Sequence, residues 1–308
     1  MTSAPPPLGR RLEDDRLITG AGRFVSDLIQ PDDLHAHFYR SPVAHGTITA
    51  VDVDLAVDQS DVALVLTGED IGLPAIPGGP HAPDGMFGRP LLARGKVRYV
   101  GDPVAVVVAG SKQAAVDAAD LVWADIDPLE TVVDPRSAAG GTALFESGNV
   151  VFQGTSGSPI TDRSFPITAT VTVRNQRLAP APIEGLAIRV EPAGDGSLLV
   201  QCGHQAPHRL RGQIARQLEI AEKRVRVVVP DVGGAFGMKG MFFPEYAVVA
   251  ASALRLGRPV VWIEERREHF QSGTHGRGQT HLVTLEGERD GRVRRARIEI
   301  LSDLGAYP

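Results

Sequence analysis

The segment PDVGGAFGMKG, residues 230–240, carries the strongest chemical signal in the sequence. Gly233, Gly234 and Gly237 have no side chain, so the backbone there can turn sharply and approach a ligand closely. Successive N–H groups in such a loop can enclose an anion, and Lys239 adds a positive charge. Phe236 sets one large ring among small residues. On pattern alone the loop reads as a structural strand-to-helix turn with Phe236 packed into the core. Its glycine spacing is not GxGxxG, and no Ser or Thr follows Lys239 as a P-loop requires. A nucleotide-binding reading therefore rests on glycine content alone.

The segment CGHQAPHRLRGQ, residues 202–213, comes second. Gln205 falls at a strand–helix junction, where its amide can donate a hydrogen bond to something held at the sheet edge. His204 and His208 are four apart, but no third ligand accompanies them and His204 precedes the helix. They read as polar residues at a solvated helix end rather than as a metal site. The charged stretch EERREHF (264–270) reads as solvated surface. In THGRGQ (274–279), Arg277 between two glycines is a weaker candidate for an anion clamp. Glu184, in RLAPAPIEG, is an isolated carboxylate expected to pair locally. No Ser-His-Asp or Cys-His arrangement is visible.

Strands and helices must bring these segments together. Residues 197–202 read as a strand, and 207–218 as a helix with Leu210, Ile214 and Leu218 on one face. Residues 224–229 form a second strand leading into the glycine loop. A helix over 244–256 follows, with Pro244 in its first turn and Gly257 as its C-terminal cap. Both candidate segments thus lie between a strand end and a helix start. Further on, 259–263 is a strand, and 280–286 and 292–302 flank an Asp290–Gly291 hairpin signal. In the first half, 62–66 and 103–109 read as buried strands, with a Pro/Gly loop over 74–83 between them. A helix over 111–122 is capped by Ser111 and sets Ala114, Ala115, Ala118 and Leu121 on one side. Residues 123–126 return as a strand. Residues 1–8 are Pro-rich and expected to be a loose arm, and 133–164 is expected to link two domains. The fold class is α+β.

Composition narrows the function classes. With 308 residues, 32 basic against 37 acidic, the net charge is −5, without the basic stripe of a nucleic-acid binder. Apolar runs recur throughout, which excludes global disorder. The single cysteine, Cys202, can form neither an internal disulfide nor, alone, a zinc or iron–sulfur site. The longest apolar stretches, 104–109 and 247–254, fall far short of a membrane span. Arg10 and Arg11 are followed by acidic residues rather than an apolar run, so a secretory signal is not expected and the cytoplasm is.

Taken in order, several blocks resemble the xanthine dehydrogenase and aldehyde oxidase family, most of all its carbon monoxide dehydrogenase-like large subunits. The first blocks are GRRLEDDRLITGAGRFVSD and RPLLARGKVRYVGDPVAVVVAGSKQAAVDAADLVWADIDPLETVVD. QRLAPAPIEG, GHQAPH, VRVVVPDVGGAFGMK, ALRLGRPVVWIEERREHF, THGRGQTH and SDLGAYP follow, so nearly the whole chain is covered. The resemblance implies a flexible arm over 1–16 and an α/β hammerhead domain over 17–136. A linker over 137–164 and the first part of a molybdopterin cofactor-binding domain over 165–308 are implied next. It implies molybdenum whose sulfur ligands come from a pterin, which suits a redox protein with one cysteine. For bacterial members the implied pterin is the cytidine dinucleotide form. An FAD-binding medium subunit and a 2Fe–2S small subunit are the implied partners.

By the same resemblance, Gln205 matches the glutamine that hydrogen-bonds an oxygen ligand of molybdenum. Gly234, Ala235, Phe236 and Gly237 match the loop that wraps the cofactor, with Phe236 against the substrate pocket. The implied reaction is hydroxylation of an aldehyde or N-heterocycle with water-derived oxygen. Ala235 replaces a usual glycine. Gly240 stands where purine-oxidising members carry a glutamate, which argues against a purine substrate. The Gly-Glu-Gly-like motif that supplies the family's general base does not occur in 1–308, so no catalytic residue is assigned in this chain. The chain is expected not to turn over alone, being a truncated subunit or one piece of a split one completed by a complementary chain. The alternative is a non-catalytic scaffold that binds the family's partners without cofactor. Retention of Gln205 and the Phe236 loop argues against it.

Overall fold

The computed structural model describes residue 11 and residues 13–79, 82–83, 85–159 and 163–308. The Pro-rich arm over 1–8 lies outside the described residues. The first strands are β1 (Leu34–Arg40), β2 (Gly46–Asp52), β3 (Val62–Thr67), β4 (Lys96–Val97), β5 (Pro103–Ala109) and β6 (Trp123–Pro128). After these come β7 (Ile167–Asn175), β8 (Ala187–Pro192), β9 (Leu198–Cys202) and β10 (Val225–Val228). Strands β11 (Val260–Ile263), β12 (Gln279–Gly287) and β13 (Val293–Ser302) complete the set. The helices are α1 (Asp14–Ile18), α2 (Asp54–Val57), α3 (Lys112–Ala119), α4 (Pro135–Ala138), α5 (Pro207–Gln217), α6 (Pro244–Leu256) and α7 (Arg266–Ser272).

The run PVAVVVA of β5 is apolar at every position because both of its faces are buried. Ala105 and Val107 pack with Ala118 and Ala119 of α3, while Val106 and Val108 face the main core, which contains α6. Around β5 a seven-stranded sheet forms in the order β10-β9-β8-β11-β1-β5-β3. Its central join is a parallel pairing of β1 with β11, Leu34 opposite Val260. The residues on either side of the expected linker therefore share one sheet and one core. Two three-stranded sheets, β4-β2-β6 and β13-β12-β7, flank it.

Buried charges cross the same join. Arg40 on β1 donates to Glu245 of α6 at 2.8 Å and to Glu268 of α7 at 3.0 Å. Burial works against the Arg40 charge, but the two carboxylates outweigh it and its pKa is raised. Arg189 on β8 makes two bonds to Asp33, at 2.6 and 2.8 Å, just before β1.

Several sequence expectations change. Residues 14–16, assigned to a flexible arm, lie in α1, and Arg16 pairs with Asp231 beside the glycine loop. Leu121 is 38% exposed, because α3 ends at Ala119 and no longer sets the apolar face there. The linker contains the helix α4, capped by Asp134. No helix among the described residues is long and apolar enough to cross a membrane.

Candidate cofactor site

Two parallel neighbours, β9 and β10, are joined through α5, so their C-terminal ends open on the same edge of the sheet. That edge is the usual ligand side of a β-α-β unit. Beyond β9 the chain runs through Gly203, His204 and Gln205 into α5, whose first residue, Pro207, needs no N–H partner. Beyond β10 it runs through the glycine loop and a short turn, Met238–Gly240, into α6. The two segments meet directly, because the Gln205 N–H donates to the Lys239 carbonyl at 2.9 Å. Gln205 Oε1 lies against Gly240, 3.7 Å from where a Cβ would sit.

The loop backbone is unusual. Gly234, Phe236 and Gly237 have φ values of 94°, 50° and 89°. For phenylalanine this left-handed conformation costs about 1–3 kcal/mol. Contrary to expectation, the Phe236 ring is not in the core but is 74% exposed. Among the described residues, none accepts a hydrogen bond from the N–H of Gly234, Ala235, Phe236 or Gly237, and none pairs with the Gln205 side-chain amide.

Beneath the loop the charges are matched. Lys239 is completely buried and donates to Glu184 Oε2 at 2.5 Å, so its charge is directed inward instead of at a bound anion. The same oxygen accepts from the Gly233 N–H at 2.8 Å. Glu184 thus pairs across the fold rather than locally. Cys202 lies below this pair, and burial pushes its thiol up to about 12, which removes it as a nucleophile at neutral pH.

His204 is buried and burial lowers its pKa, favouring the neutral ring. Its Nδ1 accepts from the Ala206 N–H at 3.0 Å, leaving Nε2 to donate to the Met241 carbonyl at 3.2 Å. Both ring nitrogens are occupied, and the ring braces the two segments. His208 is exposed. Among the described residues no three His, Cys, Asp or Glu side chains cluster to hold a metal ion.

The stretch expected to be solvated is buried at three of its seven positions. Glu264, Glu268 and His269 are all inside. His269 Nε2 donates to the Pro180 carbonyl at 2.6 Å, and its Nδ1 lies 2.8 Å from Glu264 Oε2. Burial raises the Glu264 pKa despite this partner. An open cleft of about 440 Å³ runs along Glu184, Gly233, Glu264 and His269. It borders the start of the loop but includes neither Gln205 nor Phe236. Arg277 is exposed at φ 69°.

Residues 19–130 match the aldehyde oxidase and xanthine dehydrogenase a/b hammerhead domain, and residues 146–308 the molybdopterin cofactor-binding domain. The chain belongs to the xanthine dehydrogenase, aldehyde oxidase and carbon monoxide dehydrogenase large-subunit family. It is 36% identical to the nicotine 6-hydroxylase large subunit of Paenarthrobacter nicotinovorans, over 96% of this chain and 38% of that protein. The carbon monoxide dehydrogenase large chain of Hydrogenophaga pseudoflava is 31% identical, over 96% of this chain and 39% of its own. Quinoline 2-oxidoreductase from Pseudomonas putida 86 superposes with a TM-score of 0.87 at 33% identity, covering 96% of this chain and 39% of that one. The chain thus spans about 39% of the length of such relatives.

Proposed function

We propose that this chain supplies one wall of the cofactor site in a molybdenum hydroxylase acting on an aldehyde or N-heterocycle. Electrons leave through an FAD-binding and a 2Fe–2S partner subunit. The observation that supports the reading is the run of four unpaired N–H groups, Gly234 to Gly237, beside the unpartnered amide of Gln205. These groups suit a molybdenum–pterin cofactor, in the cytidine dinucleotide form of bacterial members. They offer hydrogen-bond donors to its oxygen and phosphate atoms without a competing internal acceptor.

When bound, the cofactor supplies two-electron redox chemistry and transfer of a water-derived oxygen. Gln205 donates its amide N–H to an oxygen held at the sheet edge and fixes its orientation. The loop backbone approaches closely because Gly234 and Gly237 present no side chain. The exposed Phe236 ring offers a flat apolar surface that excludes water and lies against a planar substrate. Gly240 places no charge beside it, which favours weakly polar substrates over purines.

The test is molybdenum and pterin analysis of the chain isolated with its partners from its source. About one molybdenum and one pterin per chain are expected, both falling at least fivefold in Gln205→Ala with Gly237→Val. The alternative reading is a scaffold that binds partners without cofactor. Absence of both molybdenum and pterin in the wild-type complex would establish it.

A further inference from the structure

We propose that Glu184 is the positioning residue of the glycine loop, holding both of its ends at one carboxylate oxygen and so setting the backbone from Gly234 to Gly237 before any cofactor binds. This rests on the reading of the loop as a cofactor wall. Glu184 and Gly233 are joined reciprocally. The Glu184 N–H donates to the Gly233 carbonyl at 3.1 Å, and the Gly233 N–H returns to Glu184 Oε2 at 2.8 Å. At the far end Lys239 Nζ donates to the same oxygen at 2.5 Å. The residues at positive φ, Gly234, Phe236 and Gly237, all lie between these anchors. Phenylalanine holds that conformation only where its surroundings impose it.

The contact is close-packed as well as polar. A Cβ on Gly233 would fall 2.5 Å from Glu184 Cβ, and one on Gly234 would fall 3.1 Å from Pro182 Cβ. The segment carrying Glu184 is itself held, because Arg266 donates to the carbonyls of Pro182 and Ile183, both at 2.8 Å. Support therefore passes from α7 through residues 182–184 to the loop. Since the Lys239 charge is matched by Glu184, any attraction of the loop for an anion comes from its oriented N–H groups.

Two double variants separate this role from the general cost of a buried charge. Both Glu184→Gln with Lys239→Met and Glu184→Ala with Lys239→Met remove the ion pair, but only the first keeps an acceptor for the Gly233 N–H. Amide hydrogen exchange over 233–240 in the full chain without cofactor is the readout, with β5 amides as the reference for overall stability. The expected result is exchange at least tenfold faster at the Gly233, Met238 and Gly240 amides, which have acceptors in the fold, in the alanine pair, restored to within threefold of wild type in the glutamine pair. Molybdenum content of the complex is expected to follow the same order. Equal loop exchange in the two pairs, with β5 amides unchanged, would overturn the proposal. Wild-type protection of the loop in a complex that holds no molybdenum would instead overturn the cofactor reading and leave the positioning role standing.

Discussion

Asp102 is enclosed where the two halves of the chain meet, and burial pushes its carboxyl up to about 6 from an ordinary 3.8. Arg89 and the Arg98 N–H oppose that rise without cancelling it. The unfolded chain therefore releases this proton first as pH rises, so stability falls between about pH 4 and 6 and stays lower above. Asp102→Asn keeps an acceptor for the Arg98 N–H but does not ionise. Relative to wild type it is expected to gain about 1–3 kcal/mol between pH 4.5 and 7.5, measured by urea denaturation at each pH. A difference that does not change with pH would show an ordinary carboxyl. At this scale the candidate site was partly legible. Glycines and a junction glutamine announce themselves by type, since few other roles require them there. The buried carboxylates did not, because Glu268 looks solvated until Arg40 arrives from a strand 228 residues away.

Elements were legible where local chemistry marks their ends. Helix α6 runs over the residues expected, since Pro244 suits its first turn and Gly257 takes the left-handed φ of 61° that ends it. Ser111 caps α3 by accepting from the Ala114 N–H at 3.2 Å. Ser111→Ala is expected to cost about 1 kcal/mol in urea denaturation while Ser111→Asp costs little, because α3 covers one face of β1 and β5. Strand β1 was missed, although Leu34, Ala36 and Phe38 are its buried positions and alternate as a half-buried strand should. The histidines between them disguised the period. Strand β7 was missed for a different reason: it is exposed along its whole length and left no core signature. Helix α7 hid behind its charges, which the fold matches internally.

For the whole molecule, the boundary legible in the sequence is a change of composition and not a break in the hydrogen-bonded sheet. Gly, Ser and Pro mark 133–164 as a connection, yet β1 pairs with β11 across it. A single cut within 154–158, an exposed stretch, is therefore expected to leave the two fragments together in non-denaturing gel filtration. The Arg40 and Arg189 ion pairs also span the join, so 2 M salt is not expected to separate the fragments, because buried pairs are weakly screened. Separation in dilute buffer would show that the shared sheet contributes little. Elsewhere Val171 and Ile298 stand out on opposite edge strands of the β13-β12-β7 sheet, which keeps an apolar face uncovered within this chain.

The β1–β11 join also orders events during synthesis. When β5 has left the ribosome, β1 can pair on one side only, and its other edge waits for a strand that begins at Val260. At 5–20 residues per second that wait is roughly 8–30 s. For that interval a nascent chain presents an open sheet edge and half a core. Holding the emerging first half apart from its neighbours is then a requirement of producing this protein, set by where one four-residue strand falls in the chain.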